Sequence, residues 1–94
     1  FSPIDLTATA LGACMFAMMG YTAMNKGINL EGMTIDVDRV MADAPRRISE
    51  FNIIVSFTQE YTDKEKVVLQ KAAETCPVKK TLSEDCKINV IMKF

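Results

Sequence analysis

The chain has 94 residues, a formal charge of −1 at pH 7, three cysteines and no histidine. It is long enough for one domain, its balanced charge offers no field for nucleic acid, and the commonest metal ligand and general base is missing. Three cysteines without a CxxC or CxxxC spacing argue against both a secreted disulfide framework and a zinc site, so no metal is expected.

The first predicted element is a long helix. Ser2 is a suitable N-cap, Pro3 suits the first helical position, and Asp5 falls where it would complete a capping box. Asn25-Lys26-Gly27 marks the other end, with a lysine at the negative pole and a glycine free to turn left-handed. No charged residue lies between Leu6 and Asn25, a length that could span a bilayer. The run is mostly Ala, Thr, Gly and Met, however, and no second span follows. A buried central helix and no membrane are therefore expected. Small residues at Ala8, Gly12, Ala13, Ala17 and Gly20 predict close backbone approach on several sides.

The period then changes to two. Met33, Ile35 and Val37 alternate with Thr34, Asp36 and Asp38, and the pattern runs through Val40 to Ala42 with one irregularity. Ala44-Pro45 is a turn. A second strand carries Phe51, Ile53, Val55 and Phe57 on one face and Asn52, Ile54 and Ser56 on the other, giving an antiparallel hairpin. Thr62-Asp63-Lys64-Glu65 is a capping box that opens a helix with the apolar stripe Val68, Leu69, Ala72, Ala73 and Cys76. Pro77 starts a short helix ending near Leu82, and Ile88, Val90, Met92 and Phe94 form a last strand. The order predicts a single α+β domain over residues 1–94, built on an antiparallel sheet. At 49% hydrophobic residues the chain is greasier than a monomer of this size easily hides, so association with a second copy is expected.

The chemistry-bearing residues are two cysteines in unlike settings. Cys14 lies in mid-helix, where the helix dipole gives little help and burial would leave it inert unless a cation or donor is held close. Cys76 sits at the N-cap of the turn that Pro77 begins, where the free amides of Val78 and Lys79 can approach its sulfur. Lys79 and Lys80 add positive charge nearby. Taken alone, Cys14 reads more readily as a packed core residue than as a catalyst, and Cys76 reads as readily either way. If the two meet in the fold, the chain is a thiol redox protein.

The neighbouring residues bear on that choice. The opening Ser2-Pro3-Ile4-Asp5-Leu6, the stretch Ala10-Leu11-Gly12-Ala13-Cys14 and the later Cys76-Pro77-Val78-Lys79-Lys80-Thr81-Leu82 closely resemble the OsmC/Ohr family of osmotically inducible and organic hydroperoxide resistance proteins. The segment Met41-Ala42-Asp43-Ala44-Pro45-Arg46-Arg47 is similar to the OsmC-like branch. The resemblance covers essentially the whole chain. It implies an OsmC-like fold in an intertwined homodimer, with Cys14 as the peroxidatic cysteine and Cys76 as the resolving cysteine of a thiol-dependent peroxidase. An organic hydroperoxide would be the substrate, a dithiol the reductant, and no cofactor would be needed. A reducing compartment, the cytoplasm, suits such thiols.

The chain departs from the family pattern in three places. The family's N-terminal β-region, which supplies the arginine that activates the first thiol, has no counterpart here, and the chain reads as the remainder of something longer. Where the hydroperoxide-resistance branch has a glutamate after the helix-opening proline, this chain has Ile4. Asp5, one residue on, is open to either a supporting or a capping role. Cys86 matches no family role. A catalytically idle protein of the same fold, structural or binding a small molecule, therefore stands as the alternative.

Overall fold

The computed structural model describes residues 2–94. The elements are α1 (Pro3–Lys26), β1 (Thr34–Asp43), β2 (Arg46–Ser56), α2 (Asp63–Glu74), α3 (Pro77–Thr81) and β3 (Lys87–Lys93). Each helix starts and stops where its local chemistry dictates. Ser2 Oγ accepts the Asp5 N–H at 3.0 Å, and α1 ends at Gly27, whose φ of 68° is the left-handed conformation glycine adopts without strain. At α2 both halves of the capping box form: Thr62 Oγ1 accepts the Glu65 N–H, and the Glu65 carboxylate accepts the Thr62 N–H. The first capping box is only half made. Asp5 supplies its backbone donor to Ser2, but its carboxylate turns away to Arg39.

The three strands form one sheet in the order β1-β2-β3. β1 and β2 are the antiparallel hairpin that alternation predicts, whereas β3 runs parallel to β2. The expectation of an all-antiparallel sheet is corrected here, and the reason is topological. The chain leaves β2 at Ser56 and returns through α2 and α3, so it enters β3 from the end at which β2 began; a helical crossover of this kind produces parallel neighbours. Alternation in β3 could not reveal this, because a sheet covered on one face gives the same pattern in either direction.

The irregularity in the hairpin is real, but the extra residue lies on the partner strand. Pairing passes from Val40 with Glu50 to Met41 with Ile48, which leaves Ser49 unopposed, and its hydroxyl donates to the Val40 carbonyl at 3.0 Å. Along the regular part, Ile35, Val37 and Arg39 pair with Val55, Ile53 and Phe51, which in turn pair with Met92, Val90 and Ile88. These residues make up the inner face of the sheet.

α1 packs on the sheet, on α2 and on α3, so it is central as expected. It is not buried all round. Leu11, Met15, Met19 and Ala23 are sealed in the core with Phe51, Ile53, Val55, Leu69 and Ala73, while Leu6, Phe16, Tyr21 and Met24 are exposed. The expectation of close approach on several sides also narrows to one side, where Ala8 and Gly12 are buried while Ala13 and Ala17 are exposed. A Cβ on Gly12 would fall 2.7 Å from Val37 Cγ2, whereas one on Gly20 would meet nothing within 4 Å. By length and composition alone α1 could cross a membrane.

Candidate active site

Cys14 and Cys76 reach each other because of where two helices place them. On α1, Cys14 shares a flank with Thr7, Leu11 and Met18 by helical spacing, next to the fully buried Leu11 and Met15. α1 packs against both α2 and α3. The Leu69, Ala72, Ala73 stripe of α2 is buried, and Cys76 continues it at 0% exposure, so the residue that caps α3 also faces inward. Cys76 belongs to the apolar core cluster, Cys14 packs against it, and the Cys14 thiol is a neighbour of the Cys76 thiol. Neither is in a disulfide. Cys14 is half-buried, whereas Cys76 is sealed.

Opposing influences act on Cys76. Burial, chiefly, pushes its thiol above the ordinary range, and the neighbouring Cys14 thiol pushes the same way. The N–H groups of Lys79 and Val78 pull in the other direction, although neither is aligned well enough to make a formal side-chain cap. What Lys79 brings to the sulfur is its backbone N–H. Burial wins, so Cys76 is held as the neutral thiol.

Asp5 and Arg39 form a second polar feature, which the sequence reading did not pair. Arg39 Nη2 lies 2.9 Å from Asp5 Oδ1, and Arg39 Nε is buried with no hydrogen-bond partner among the described residues. The alternation of Ile35, Val37 and Arg39 was the signal that could have found it, since it puts Arg39 on the inner face opposite α1. Asp5 and Cys14 are nine residues apart on the helix, two and a half turns, so they project from opposite flanks. Within one chain the Asp5–Arg39 pair therefore does not reach Cys14. Asp5 instead lines a groove of about 550 Å³ between α1 and β1, with Ala8, Gly12, Phe16, Ile35 and Val37. Of the other two arginines, Arg46 is exposed at the hairpin end, and Arg47 lies beside Cys86, where it partly offsets the upward push of burial on that thiol.

The family model for OsmC-like proteins matches residues 1–91. The chain belongs to the OsmC-like family. Among solved structures, a Psychrobacter arcticus protein provisionally described as osmotic stress induced and of the detoxification response is 42% identical, with a TM-score of 0.92 over 98% of this chain and 67% of that one. An OsmC-like protein from Mycoplasma pneumoniae is 23% identical, with a TM-score of 0.86 over 99% of this chain and 71% of that one. The organic hydroperoxide resistance protein OhrB of Bacillus subtilis shares the fold at 18% identity, with a TM-score of 0.73 over 98% and 70% of the two chains. The chain thus spans roughly two thirds of the length of these relatives. None of the curated proteins matches the sequence.

Proposed function

We propose that the chain is a thiol-dependent peroxidase that reduces organic hydroperoxides to alcohols. The observation that carries this reading is the adjacency of Cys14 and Cys76 in an apolar cluster, one thiol accessible and the other sealed beside it. The Cys14 thiolate attacks the O–O bond of ROOH, the alkoxide leaves and is protonated to ROH, and Cys14 becomes a sulfenic acid. The Cys76 thiol then condenses with it, a water departs, and a Cys14–Cys76 disulfide forms. A dithiol reductant returns both residues to thiols by exchange. The apolar residues around Cys14 favour an organic substrate over hydrogen peroxide, and the cycle suits a reducing compartment, the cytoplasm.

The working unit in this proposal is a homodimer. The exposed Leu6, Phe16, Tyr21 and Met24 share α1 with the open α1–β1 groove, and a second copy would cover this surface. Sedimentation of a dilution series should show a dimer; a folded monomer at every concentration refutes that part of the proposal.

The commitment of Arg39 to Asp5, on the flank of α1 away from Cys14, favours a second reading in which the fold persists and the thiols are idle. One assay separates the two. Reduced protein is mixed with cumene hydroperoxide and a dithiol, and peroxide loss is followed for the parent chain, Cys14→Ser and Cys76→Ser. The peroxidase reading expects turnover that vanishes in Cys14→Ser and stalls after one equivalent in Cys76→Ser. Equal background rates in all three would leave the idle fold.

A further inference from the structure

Two adjacent thiols are a ligand set as well as a redox couple. Among the described residues no group of three or more His, Cys, Asp or Glu side chains is gathered as metal donors, so the four ligands of a structural zinc site are not assembled here. Species that take two sulfurs remain, and they differ in shape and charge. A linear ion such as Cu(I) holds its sulfurs two full metal–sulfur bonds apart. A trivalent arsenic atom bearing one organic group is pyramidal and holds them at close to a right angle, much nearer together. Cys14 and Cys76 are neighbours in one apolar cluster, so a single small group could bridge them.

Charge separates the two. A bis-thiolate of Cu(I) carries a net negative charge, and at a sulfur with 0% exposure that charge is costly. An organoarsenic dithiolate is neutral and suits the apolar cluster. Cys76 is sealed whereas Cys14 is only half-buried, so the organic substituent would lie on the Cys14 side.

We propose that Cys14 and Cys76 together form a capture site for monosubstituted trivalent arsenicals, R–As=O. Both S–H bonds and the As=O bond break, two As–S bonds form, and the oxygen leaves as one water carrying both thiol protons. Arsenic stays trivalent, so no oxidant or reductant takes part. Cys86 stands apart from the site, with Arg47 as its charged neighbour. The proposal needs only the thiol pair, so a catalytically idle fold would capture the arsenical equally well.

The test titrates fully reduced protein with phenylarsine oxide, reading intact mass and free thiols. The expected result is one phenylarsenic group per chain, two thiols lost, and Cys86 alone still open to alkylation by peptide mapping. The second sulfur makes the later bond intramolecular, so Cys14→Ser or Cys76→Ser should weaken capture by about 10²–10⁴-fold, while Cys86→Ser leaves it unchanged. Bound arsenic should resist an excess of monothiol and be released by a dithiol. Loss of the Cys86 thiol, a need for two equivalents, undiminished capture by Cys14→Ser, or no adduct on folded reduced protein would each overturn the proposal. If a serine variant fails to fold, the peptide map of the parent chain decides the matter.

Discussion

Replacing Gly12 by alanine tests how tightly α1 is seated on β1, and Gly20→Ala supplies an internal control on the same helix. Both changes remove glycine from a helix interior, a gain of about 1 kcal/mol in helix propensity. At Gly20 that gain stands alone, because an added Cβ meets nothing within 4 Å. At Gly12 the added Cβ would lie 2.7 Å from Val37 Cγ2, well inside van der Waals contact. Val37 cannot step aside easily. It is β-branched, it sits on the inner face of β1, and it is paired with the fully buried Ile53. Forcing a methyl into such a contact costs about 1–3 kcal/mol. Gly12→Ala is therefore expected to be destabilising by about 0–2 kcal/mol and Gly20→Ala stabilising by about 1 kcal/mol. For a chain of this size each kcal/mol is about 4–8 °C in Tm. Urea unfolding under reducing conditions, at one fixed protein concentration, measures both. In the Gly12→Ala/Val37→Ala double variant the two changes should couple favourably, because the clashing methyl is gone. If Gly12→Ala stabilises the protein as much as Gly20→Ala does, α1 does not rest on β1 as described.

The remaining expectations use other contacts. Asp5→Ala should cost about 0.5–1 kcal/mol, since both partners of the ion pair are part-exposed, and the loss should shrink in high salt. Arg39→Met should cost less, because it also removes a buried Nε that has no partner; a cost equal to that of Asp5→Ala would contradict this. Thr62→Ala should lose about 1 kcal/mol, the usual worth of an N-cap, read from the urea midpoint. Cys76, Cys86 and Tyr61 all have pKa values raised chiefly by burial, so the folded state holds these protons more tightly than the unfolded chain does. Their contribution is complete below the unfolded thiol and phenol ranges, about 8.5 and 10, and is lost as pH rises through the raised values. Thermal melts under reducing conditions should show Tm falling from about pH 9 upward, and a flat profile there would contradict the assignment.

Much of this was legible in the residues, and what was not has identifiable causes. Caps and periods are local: Ser2, Gly27, Thr62 with Glu65, and the alternation from Thr34 to Ser56 each state their structure within a few positions. The direction of β3 depends on the path through α2 and α3, which no local pattern encodes. The small-residue stripe of α1 promised contact along its length, but of its two glycines Gly12 alone sits tight against a strand, on the side chain of Val37. Composition cannot say on which side a neighbour lies. Asp5 looked like a cap because its own backbone does cap α1. Its carboxylate was free to pair elsewhere, and the partner was Arg39, an inner-face arginine that the two-residue alternation could have placed.

The adjacency of the two thiols has a direction to it, set by burial. Desolvation holds Cys76 as a thiol, and its 0% exposure keeps it from meeting a peroxide in solution. A thiol in that position cannot compete for the oxidant, yet it lies beside Cys14 when a sulfenic acid forms there. Cys14 occupies the opposite position, in mid-helix and only half-buried. On the proposed cycle the fold thus assigns the order of the two steps before any substrate arrives: the half-buried sulfur is oxidised first and the sealed one resolves it. Reversing that burial pattern, rather than changing the identity of either residue, is what would scramble the order.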